Sequence, residues 1–596
     1  MVRIKDTFSA LPASPQSGFS FGEFRLEADG TLLRKGTAVH LPPKELAALR
    51  LLIEHAGQIV TPLQLKNSLW GNVHVTADSV PKCLSALRAR LEPEQCIQTV
   101  YKRGYRFSAE VRRHGAAAME ALPRLAIVPF SPGYAVPEHL GQAIAEEVIL
   151  RLTGAPNAMV SIMARDSVFA LAACGQTAQQ IGEALKADLV LTGTLRAMAA
   201  HFRLRVEMIR VKDGTQIWVE DLLAPQNSIA GIEVELVQRL TMRLNSGGLS
   251  IFAVAEPFVE RRKRPERREA YEAFLRGHFE WQTLQRHRMQ DGLQHLHRAI
   301  ELDPSLIQAR IDMVNACVTQ ALYGFMSPAV AAKSVRRAFE STPDLQLQNE
   351  AVLPALGWIN FHVDRDLPAA IRAFSQSAHL PHEIWTTHLR VIFALGRRRF
   401  PEAIGLLRAA LQGDPYSPWL HAQQAWAYHL AGKAAESVDL IRRTIDLFPT
   451  HEGSIFYGAL ILAFNGEAAQ ATELAHGLSQ RLAYFDLATA VHAYALACQG
   501  RNDEARAILE RLQWLSRERF VLNSFTPAVY VALGDHDSAL AELRTANGVR
   551  CPWFFQMLAD PRLKPLHGNP EFEQLQSILI RMEDEAAEVE IEPEFE

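Results

Sequence analysis

The sequence has 596 residues, of which 48% are hydrophobic and 21% are charged. Both fractions lie near the globular average, which excludes a mostly disordered or fibrous chain, and the length corresponds to roughly four domains. The formal charge of -4 combines 62 basic with 66 acidic residues, so charge is informative only segment by segment. No apolar run is long enough to predict a transmembrane helix, and residues 1–18 predict a flexible N-terminus without a signal peptide.

The cysteine pattern argues against a metal centre and against disulfides. The six cysteines are scattered along the chain and none belongs to a CxxC pair. Zinc sites and disulfide frameworks both need closely or regularly spaced cysteines. The sequence therefore predicts reduced thiols, no metal, and a cytoplasmic location.

Residues 19–112 predict strands, three helices and a final hairpin. Two alternating segments flank Asp29-Gly30, which indicates a β-hairpin. A helix follows Pro42-Pro43 and ends near Gly57. Thr61 begins a second, short helix, because a Thr-Pro-Leu-Gln run combines a capping box with proline at the first helical position.

A third helix, SVPKCLSALRARL, begins near Ser79, and the strand pair TVYKRGYRF closes the block. Together with LPPKELAALRLLIEHAGQIVTPLQLKNSLWG, these segments resemble the OmpR/PhoB-type DNA-binding domain over the whole of residues 19–112. The resemblance implies a winged helix, with the third helix (79–91) in the major groove and the wing (101–106) on the DNA backbone.

The helical period of this segment agrees with that role. Val80, Leu84, Leu87 and Leu91 fall on one face and should be core. Basic and hydroxyl side chains on the other face could reach base edges or phosphates, and the block carries 13 basic against 9 acidic residues. The candidate DNA-binding residues are Pro81, Lys82, Ser85, Arg88 and Arg90 on the helix, with Lys102, Arg103 and Arg106 in or near the wing.

Residues 123–256 predict a mixed α/β module. A short buried-type strand, RLAIVPF, is followed by helical segments, a second strand ADLVLTG, and a strongly alternating hairpin around Asp213-Gly214. The order resembles the TolB-N-terminal/FlgO-like module. Phosphate-loop, HExxH, GxSxG and GxGxxG motifs are missing, so neither an enzyme nor a cofactor is predicted. Arg165, Asp166 and Ser167 are the residues here that could line a ligand pocket.

Residues 268–580 predict an α-solenoid of tetratricopeptide type. Gly432, Gly466, Gly500 and Gly534 are each 34 residues apart. A helix-turn-helix repeat of 34 residues is the tetratricopeptide signature, in which glycine allows the turn between the two helices. One repeat earlier, Arg398 stands at the glycine position, so the array is degenerate there.

Large aromatic residues recur at this period and have two interpretations. Trp358, Trp426 and Tyr494 are 68 residues apart, and Trp385 and Trp419 are 34 apart. They could form an aromatic floor that binds a protein partner on the concave face. They could equally pack between adjacent helical hairpins, as large aromatics do in this repeat family.

The last segment, residues 583–596, has eight acidic residues in fourteen and predicts a disordered tail. The complete order, winged helix, α/β module and helical repeats, resembles cytoplasmic HilA-like transcriptional regulators. That resemblance implies a multidomain α+β and all-α protein that binds double-stranded promoter DNA, without a membrane segment, and binds a protein partner or itself through its repeats. The alternative is an interaction scaffold in which DNA binding is secondary or vestigial.

Overall fold

The structure is a computed structural model. It describes residues 18–26, 32–34, 37–39, 41–54, 56–57, 59–62, 64–66, 79–91, 96–100, 104–109, 111–114, 122–134, 136, 138–153, 160–199, 201–225, 232–245, 265–282, 285–340, 350–378, 384–522 and 524–591. The chain forms two compact units, Met1–Leu122 and Pro123–Glu596.

The first unit contains two antiparallel sheets. Five strands pair in the order β4-β3-β2-β1-β8, and three pair in the order β5-β7-β6. The strands are β1 (Gly18–Phe21), β2 (Phe24–Leu26), β3 (Leu32–Arg34), β4 (Thr37–Val39), β5 (Ile59–Val60), β6 (Ile97–Val100), β7 (Gly104–Phe107) and β8 (Arg112–His114). The predicted N-terminal hairpin is present as β2 and β3, while its turn at Asp29-Gly30 lies outside the described residues.

Helices α1 (Pro43–Glu54) and α2 (Ser79–Arg90) pack around the core of this unit. The predicted cap between them is present, because Gln64 N–H donates to Thr61 Oγ1 over 3.2 Å and Thr61 N–H donates to Gln64 Oε1 over 2.8 Å. Residues 62 and 64–66 are helical after this cap. Helix α2 therefore corresponds to the third helix that the sequence predicts.

The second unit begins with the α/β module. Its strands are β9 (Arg124–Ile127), β10 (Ser131–Pro132), β11 (Ser161–Ile162), β12 (Leu189–Ala197), β13 (His201–Arg210) and β14 (Thr215–Pro225). Its helices are α3 (Glu138–Thr153), α4 (Arg165–Ala173), α5 (Ala178–Leu185) and α6 (Ile232–Asn245). The sheet is mixed: β9, β11 and β12 run parallel, and β12, β13 and β14 form antiparallel pairs that include the predicted hairpin.

Helical hairpins make up the rest of the second unit. The helices are α7 (Pro265–Trp281), α8 (Arg286–Leu302), α9 (Ile307–Leu322), α10 (Pro328–Glu340), α11 (Leu353–Ile359), α12 (Leu367–Gln376), α13 (Ile384–Gly396), α14 (Phe400–Gly413), α15 (Pro418–Leu430), α16 (Ala434–Leu447), α17 (Glu452–Phe464), α18 (Ala468–Arg481), α19 (Asp486–Cys498), α20 (Asn502–Glu518), α21 (Thr526–Ala532), α22 (His536–Gly548), α23 (Phe554–Met557) and α24 (Pro570–Ile591). They form the tetratricopeptide-like solenoid.

The repeat turns need a left-handed backbone, which explains the glycine period. Gly432, Gly466, Gly500 and Gly534 all have positive φ, between 72° and 91°. Arg398 takes the same conformation, with φ of 59°, although a side chain is unfavourable there. The degenerate repeat thus keeps the left-handed turn, with backbone strain at Arg398.

An earlier turn is displaced by one residue. A 34-residue step back from Arg398 leads to position 364, but the left-handed residue is Arg365, with φ of 63°. A π-helical turn, Asn360–Asp364, precedes it. A π turn holds one more residue than an α turn, so it shifts the repeat register by one.

The solenoid is filled along its inner face by its own C-terminal part, residues 551–566, which we call the inserted segment. Trp553 Nε1 donates to the carbonyl of Leu322 over 2.9 Å. Trp426 Nε1 donates to Gln556 Oε1 over 3.1 Å. Phe555 packs on Phe361, with ring centroids 4.8 Å apart. The inserted segment therefore contacts helices that are far apart along the chain.

A buried ion cluster fixes this segment. Asp560 and Arg562 are both 4% exposed and form a double hydrogen bond, and His429 Nε2 lies 3.3 Å from Asp560 Oδ1. The Arg562 guanidinium also lies over the rings of Trp426 and Tyr494, at 5.4 and 4.9 Å. Burial opposes ionisation of Asp560, but the Arg562 guanidinium and the hydrogen bond with His429 outweigh that effect and hold its pKa well below the usual range.

The prediction of a disordered tail is wrong for residues 583–591, because these residues continue helix α24. Glu583 accepts two hydrogen bonds of 2.7 Å from Arg397, so an acidic residue in this segment is held by an ion pair. Met582 and Ala586 are buried on the same helix. Residues 592–596 lie outside the described part of the chain.

Polar contacts join the α/β module to the solenoid, and a first group of them involves α3, α4, α7 and α9. Arg165 Nε donates to Glu146 Oε1 over 2.7 Å, while His278 lies 3.4 Å from Glu146 and 2.5 Å from Asp312. Burial disfavours the imidazolium, but Asp312 and Glu146 outweigh it and raise the pKa of His278 to about 10. His278 is therefore a paired cation at neutral pH.

The second contact joins α4 to the end of α14. Asp414 accepts hydrogen bonds from the backbone N–H (3.0 Å) and the hydroxyl of Ser167, and Tyr416 N–H donates to Ser167 Oγ over 2.8 Å. Phe448 of the solenoid is buried in the same apolar cluster as α5. Arg165 and Ser167, which the sequence offered as ligand-pocket residues, are thus used to attach the module. The segment after β11 is helical, which places Arg165 and Ser167 on the same helix, α4.

Breaking the ion cluster should destabilise the second unit strongly. In Asp560→Asn, Arg562 remains buried without a counter-charge, so we expect a loss of about 3–5 kcal/mol in the free energy of unfolding. Urea unfolding followed by tryptophan fluorescence measures it. The matched control is Asp439→Asn, which removes an exposed ion pair with Arg443 and should cost no more than about 0.5 kcal/mol. Equal losses in both variants would contradict a special role for the cluster.

Asp414 should make stability depend on pH. Burial is the main cause that raises its pKa to about 6, against the hydrogen bonds from Ser167. Because this pKa lies above that of Asp414 in the unfolded chain, the folded state favours the protonated carboxyl. Its contribution to stability is therefore complete below about pH 4 and is lost as the pH rises to 6. The loss corresponds to about 3 kcal/mol.

Unfolding of wild type and Asp414→Asn between pH 4 and 7 tests this. The asparagine should remove the decline, because it is neutral throughout and keeps an acceptor for Ser167. Asp503→Asn, at an exposed position, should leave the decline in place. If wild-type stability does not decline over this pH range, or if Asp414→Asn declines as wild type does, the prediction is wrong and Asp414 is ionised in the folded state.

Candidate nucleic-acid interface

Helix α2 has one buried face and one exposed face. Val80, Leu84 and Leu87 are buried at 5%, 0% and 0% exposure, and they hold the helix on the core of the first unit. Pro81, Lys82, Ser85, Ala89 and Arg90 are exposed. The exposed face thus combines a cationic side chain with a hydroxyl, groups that can bond the acceptor edges of bases.

Helix α1 fixes the position of α2 from one side. Arg90 Nε lies 2.7 Å from Glu45 Oε2, and the Cys83 thiol lies 3.7 Å from the carbonyl of Lys44. Burial raises the pKa of Cys83, so the thiol stays protonated and able to donate. Arg90 is exposed as expected, but its ion pair with α1 gives it a structural partner within the unit.

Arg88 connects α2 to the wing strands. Its Nε donates to the carbonyl of Ile97 over 3.1 Å, and its Nη2 donates to Thr99 Oγ1 over 2.8 Å. The guanidinium lies 5.8 Å from the centre of the Tyr105 ring. Arg88 is therefore half-buried and engaged inside the unit, which the sequence pattern did not indicate.

Strands β6 and β7 form the wing and pair in register from Ile97 opposite Phe107 to Val100 opposite Gly104. Gly104 has φ of 140°, and a Cβ there would overlap the Val60 carbonyl, so the glycine permits the close approach of β7 to β5. Arg106 is half-buried on β7, and its Nε has no hydrogen-bond partner among the described residues. Lys102 and Arg103 lie outside the described residues.

The aromatic residues of the repeats form the second predicted site. Trp358, Trp426 and Tyr494 are only 1%, 2% and 3% exposed, so they pack inside the solenoid and form no surface floor. The inserted segment covers Trp426 and Tyr494 directly. Trp385 and Trp419 are half-buried.

No group of three or more metal-ligating side chains occurs among the described residues. In that same part of the chain, every helix is too short or too polar to cross a bilayer.

Similarity to known proteins agrees with this geometry. Residues 36–107 match the family described as transcriptional regulatory protein, C terminal. The response regulator PmrA of Pseudomonas aeruginosa is 38% identical over 86 residues, which cover 14% of this chain and 38% of that protein. The DNA-binding domain of E. coli CadC is 25% identical, with 17% of this chain and 99% of that chain covered and a TM-score of 0.16. The first unit contains an OmpR/PhoB-type DNA-binding domain.

A wider similarity extends to the second unit. The transcriptional regulator HilA of Salmonella typhimurium is 23% identical over 513 residues, which cover 85% of this chain and 84% of that protein. A putative adenylate cyclase of Rhizobium meliloti is 24% identical over 197 residues, which are 33% of this chain and 32% of that protein. The chain is thus similar to HilA over most of its length.

Arg88 should contribute to stability more than to DNA affinity. Arg88→Ala removes two hydrogen bonds and a ring contact, so we expect the first unit to lose about 1–3 kcal/mol of stability. The salt dependence of DNA binding should stay the same, because no phosphate contact is lost. Ser85→Ala, at an exposed position of the same helix, is the stability control. If Arg88→Ala instead lowers the salt slope by about one and leaves melting unchanged, the side chain contacts phosphate.

Proposed function

We propose that this chain is a bacterial-type transcriptional regulator that reads promoter DNA with helix α2. The observation that carries the proposal is the two-sided character of this helix. Its apolar side is anchored in the core of an OmpR/PhoB-type domain, while Lys82 and Ser85 are exposed on the opposite side. A helix presented in this way fits the major groove, where each base pair displays a distinct pattern of donors and acceptors.

The wing is proposed to contact the adjacent backbone. Lys102 and Arg103 follow strand β6, and Arg106 lies half-buried on β7. Backbone contacts of this kind set the orientation of the protein and carry no sequence information directly. Arg88 and Arg90 already have partners within the unit, so Arg88 is proposed to position α2 relative to the wing and Arg90 to position α2 relative to α1.

The second unit is proposed to regulate this activity and to carry no chemistry of its own. We divide the chain into a DNA-binding domain (19–112), an α/β module (123–256) and a solenoid (268–580), located in the cytoplasm with the DNA. The solenoid is proposed to bind a protein partner or a second copy. A dimer would match tandem DNA half-sites about one helical turn apart.

The interaction scaffold is the second candidate, and the solenoid, which makes up more than half of the chain, favours it. Footprinting of the full chain on promoter DNA separates the two functions. Protection of a defined sequence supports the regulator. Binding that is weak and equal on all DNA, beside tight capture of a protein, supports the scaffold.

Substitutions on α2 and in the wing should have different effects. Lys82→Ala or Ser85→Ala should cost about 1–3 kcal/mol on the specific site and little on random DNA. Lys102→Ala or Arg103→Ala should weaken binding to both DNAs and reduce the salt slope by about one. Salt titrations of binding on both DNAs measure these effects.

Lys212→Ala removes an exposed lysine from the β13–β14 turn and should leave both affinities unchanged. The assumed docking orientation is wrong if wing variants lose specificity while α2 variants lose affinity equally on both DNAs.

A further inference from the structure

Strand β14 forms one edge of the sheet in the α/β module. Its 11 residues, Thr215–Pro225, pair with β13 on one side only. No described residue bonds to the backbone of residues 218–225 from the other side. The opposite edge strand, β11, has only 2 residues. The β14 edge is therefore the one that offers a row of backbone donors and acceptors to another strand.

The side chains of β14 alternate between a buried and an exposed face. Leu222 and Ala224 pack with α6 in the core of the module. Val219 and Leu223 lie on the other face, where they are 39% and 60% exposed. Large apolar residues on an exposed edge strand are typical of a site that pairs with another strand.

The features that normally protect an edge strand occur at the two ends of β14. Near its beginning the pairing with β13 is irregular, and Arg243 Nη2 donates to the carbonyl of Ile217 over 3.2 Å. The strand ends at Pro225, which has no backbone N–H. Neither lysine nor proline occurs between these two points. The stretch from residue 218 to residue 224 is thus left open to pairing.

The carboxylates of this strand already have counter-charges within the module. Asp221 accepts hydrogen bonds from Arg203 Nε and Nη2 over 2.9 and 2.6 Å. Glu220, on the other face, forms an ion pair with Arg239. An apolar strand whose own charges are paired in the same way therefore fits this edge better than a basic or an acidic strand.

We propose that β14 pairs with β14 of a second copy of this chain, antiparallel and across a two-fold axis at Asp221. In this register Val219 lies opposite Leu223 of the second copy, so the exposed apolar residues meet in two symmetric pairs. Ile217 lies opposite Pro225, where the ladder ends, because Pro225 has no N–H to donate and the carbonyl of Ile217 already accepts from Arg243. The strand is thus complementary to itself in side chains and in backbone.

The two Asp221 carboxylates face each other at the axis. Each keeps Arg203 of its own chain as a counter-charge, which offsets the repulsion between like charges across the pair. The pairing joins the two sheets into one continuous sheet and assigns self-association to the α/β module, which leaves the solenoid for other proteins. Its use, to bring two DNA-binding domains together on tandem half-sites, rests on the proposed function.

Analytical ultracentrifugation of the full chain without DNA tests the pairing. We expect a dimer in wild type and an about tenfold weaker dimer in Leu223→Glu, because the new carboxylate would be buried against Val219 of the second copy. In the monomer this carboxylate stays exposed opposite Arg203, so the melting temperature should not change. Val330→Glu, at an exposed position of α10, is the matched control and should dimerise as wild type does.

A single cysteine at the axis tests the register. Asp221→Cys should form an intermolecular disulfide under mild oxidation, because directly opposed residues of antiparallel strands have Cα atoms about 4.5–5.5 Å apart, within the range of a disulfide. Asp213→Cys, in the exposed β13–β14 turn, retains the same native cysteines and should not cross-link beyond the wild-type level. This measurement decides the matter if Leu223→Glu does not fold.

Three results would overturn the proposal. A wild-type chain that stays monomeric would leave β14 to a strand of another protein. A folded Leu223→Glu that dimerises with wild-type affinity would place the contact elsewhere, for example on the solenoid. An Asp221→Cys chain that does not cross-link would exclude the two-fold axis at this residue. Because DNA is absent from these measurements, their failure is distinct from a failure of the proposed DNA-binding function.

Discussion

The architecture of the second unit depends on the buried ion cluster of Asp560, Arg562 and His429. Helical repeats normally contact only their sequence neighbours, so a solenoid is close to one-dimensional. Here the inserted segment links the first helices of repeats more than 100 residues apart, because Trp553 bonds to Leu322 and Gln556 bonds to Trp426. The cluster fixes the position of the inserted segment, because Arg562, at 4% exposure, can be buried only beside a carboxylate.

This closure changes what the inner face of the solenoid can bind. A tetratricopeptide groove is usually open, but here Trp426 and Tyr494, two of the aromatic residues that could form its floor, are covered by residues 551–566. An external partner must therefore bind elsewhere on the solenoid or displace a segment held by buried charges.

How far the sequence predicts the structure depends on whether the determining partner is local. The Thr61 cap and the buried face of α2 follow from residues that are close in sequence, and the 34-residue period of the neighbouring repeats places a turn at Arg398. The bonds of Arg88 to Ile97 and Thr99 join a helix to strands that follow a loop. A helical projection cannot place a strand opposite an arginine, so it assigns such a residue to the exposed face.

The same reasoning explains the misjudged acidic tail and the ligand-pocket residues of the module. Composition treats Glu583 as one of many like charges, while the fold places it beside Arg397, 186 residues away in sequence. Arg165 and Ser167 similarly find their partners in other elements of the second unit, at Glu146 and Asp414. Polar residues at such junctions resemble a binding site in sequence, because both uses require side chains that are desolvated and hydrogen-bonded.

The polar character of these junctions has a mechanical consequence. An apolar interface gains stability from area and tolerates small shifts, whereas ion pairs and hydrogen bonds lose most of their energy when the geometry changes. Such groups hold the α/β module to the solenoid at α7 and α9 and at the end of α14, beside the apolar contact of Phe448. A change in the repeats at either point would therefore be transmitted to α3 or α4 as the loss of a defined contact.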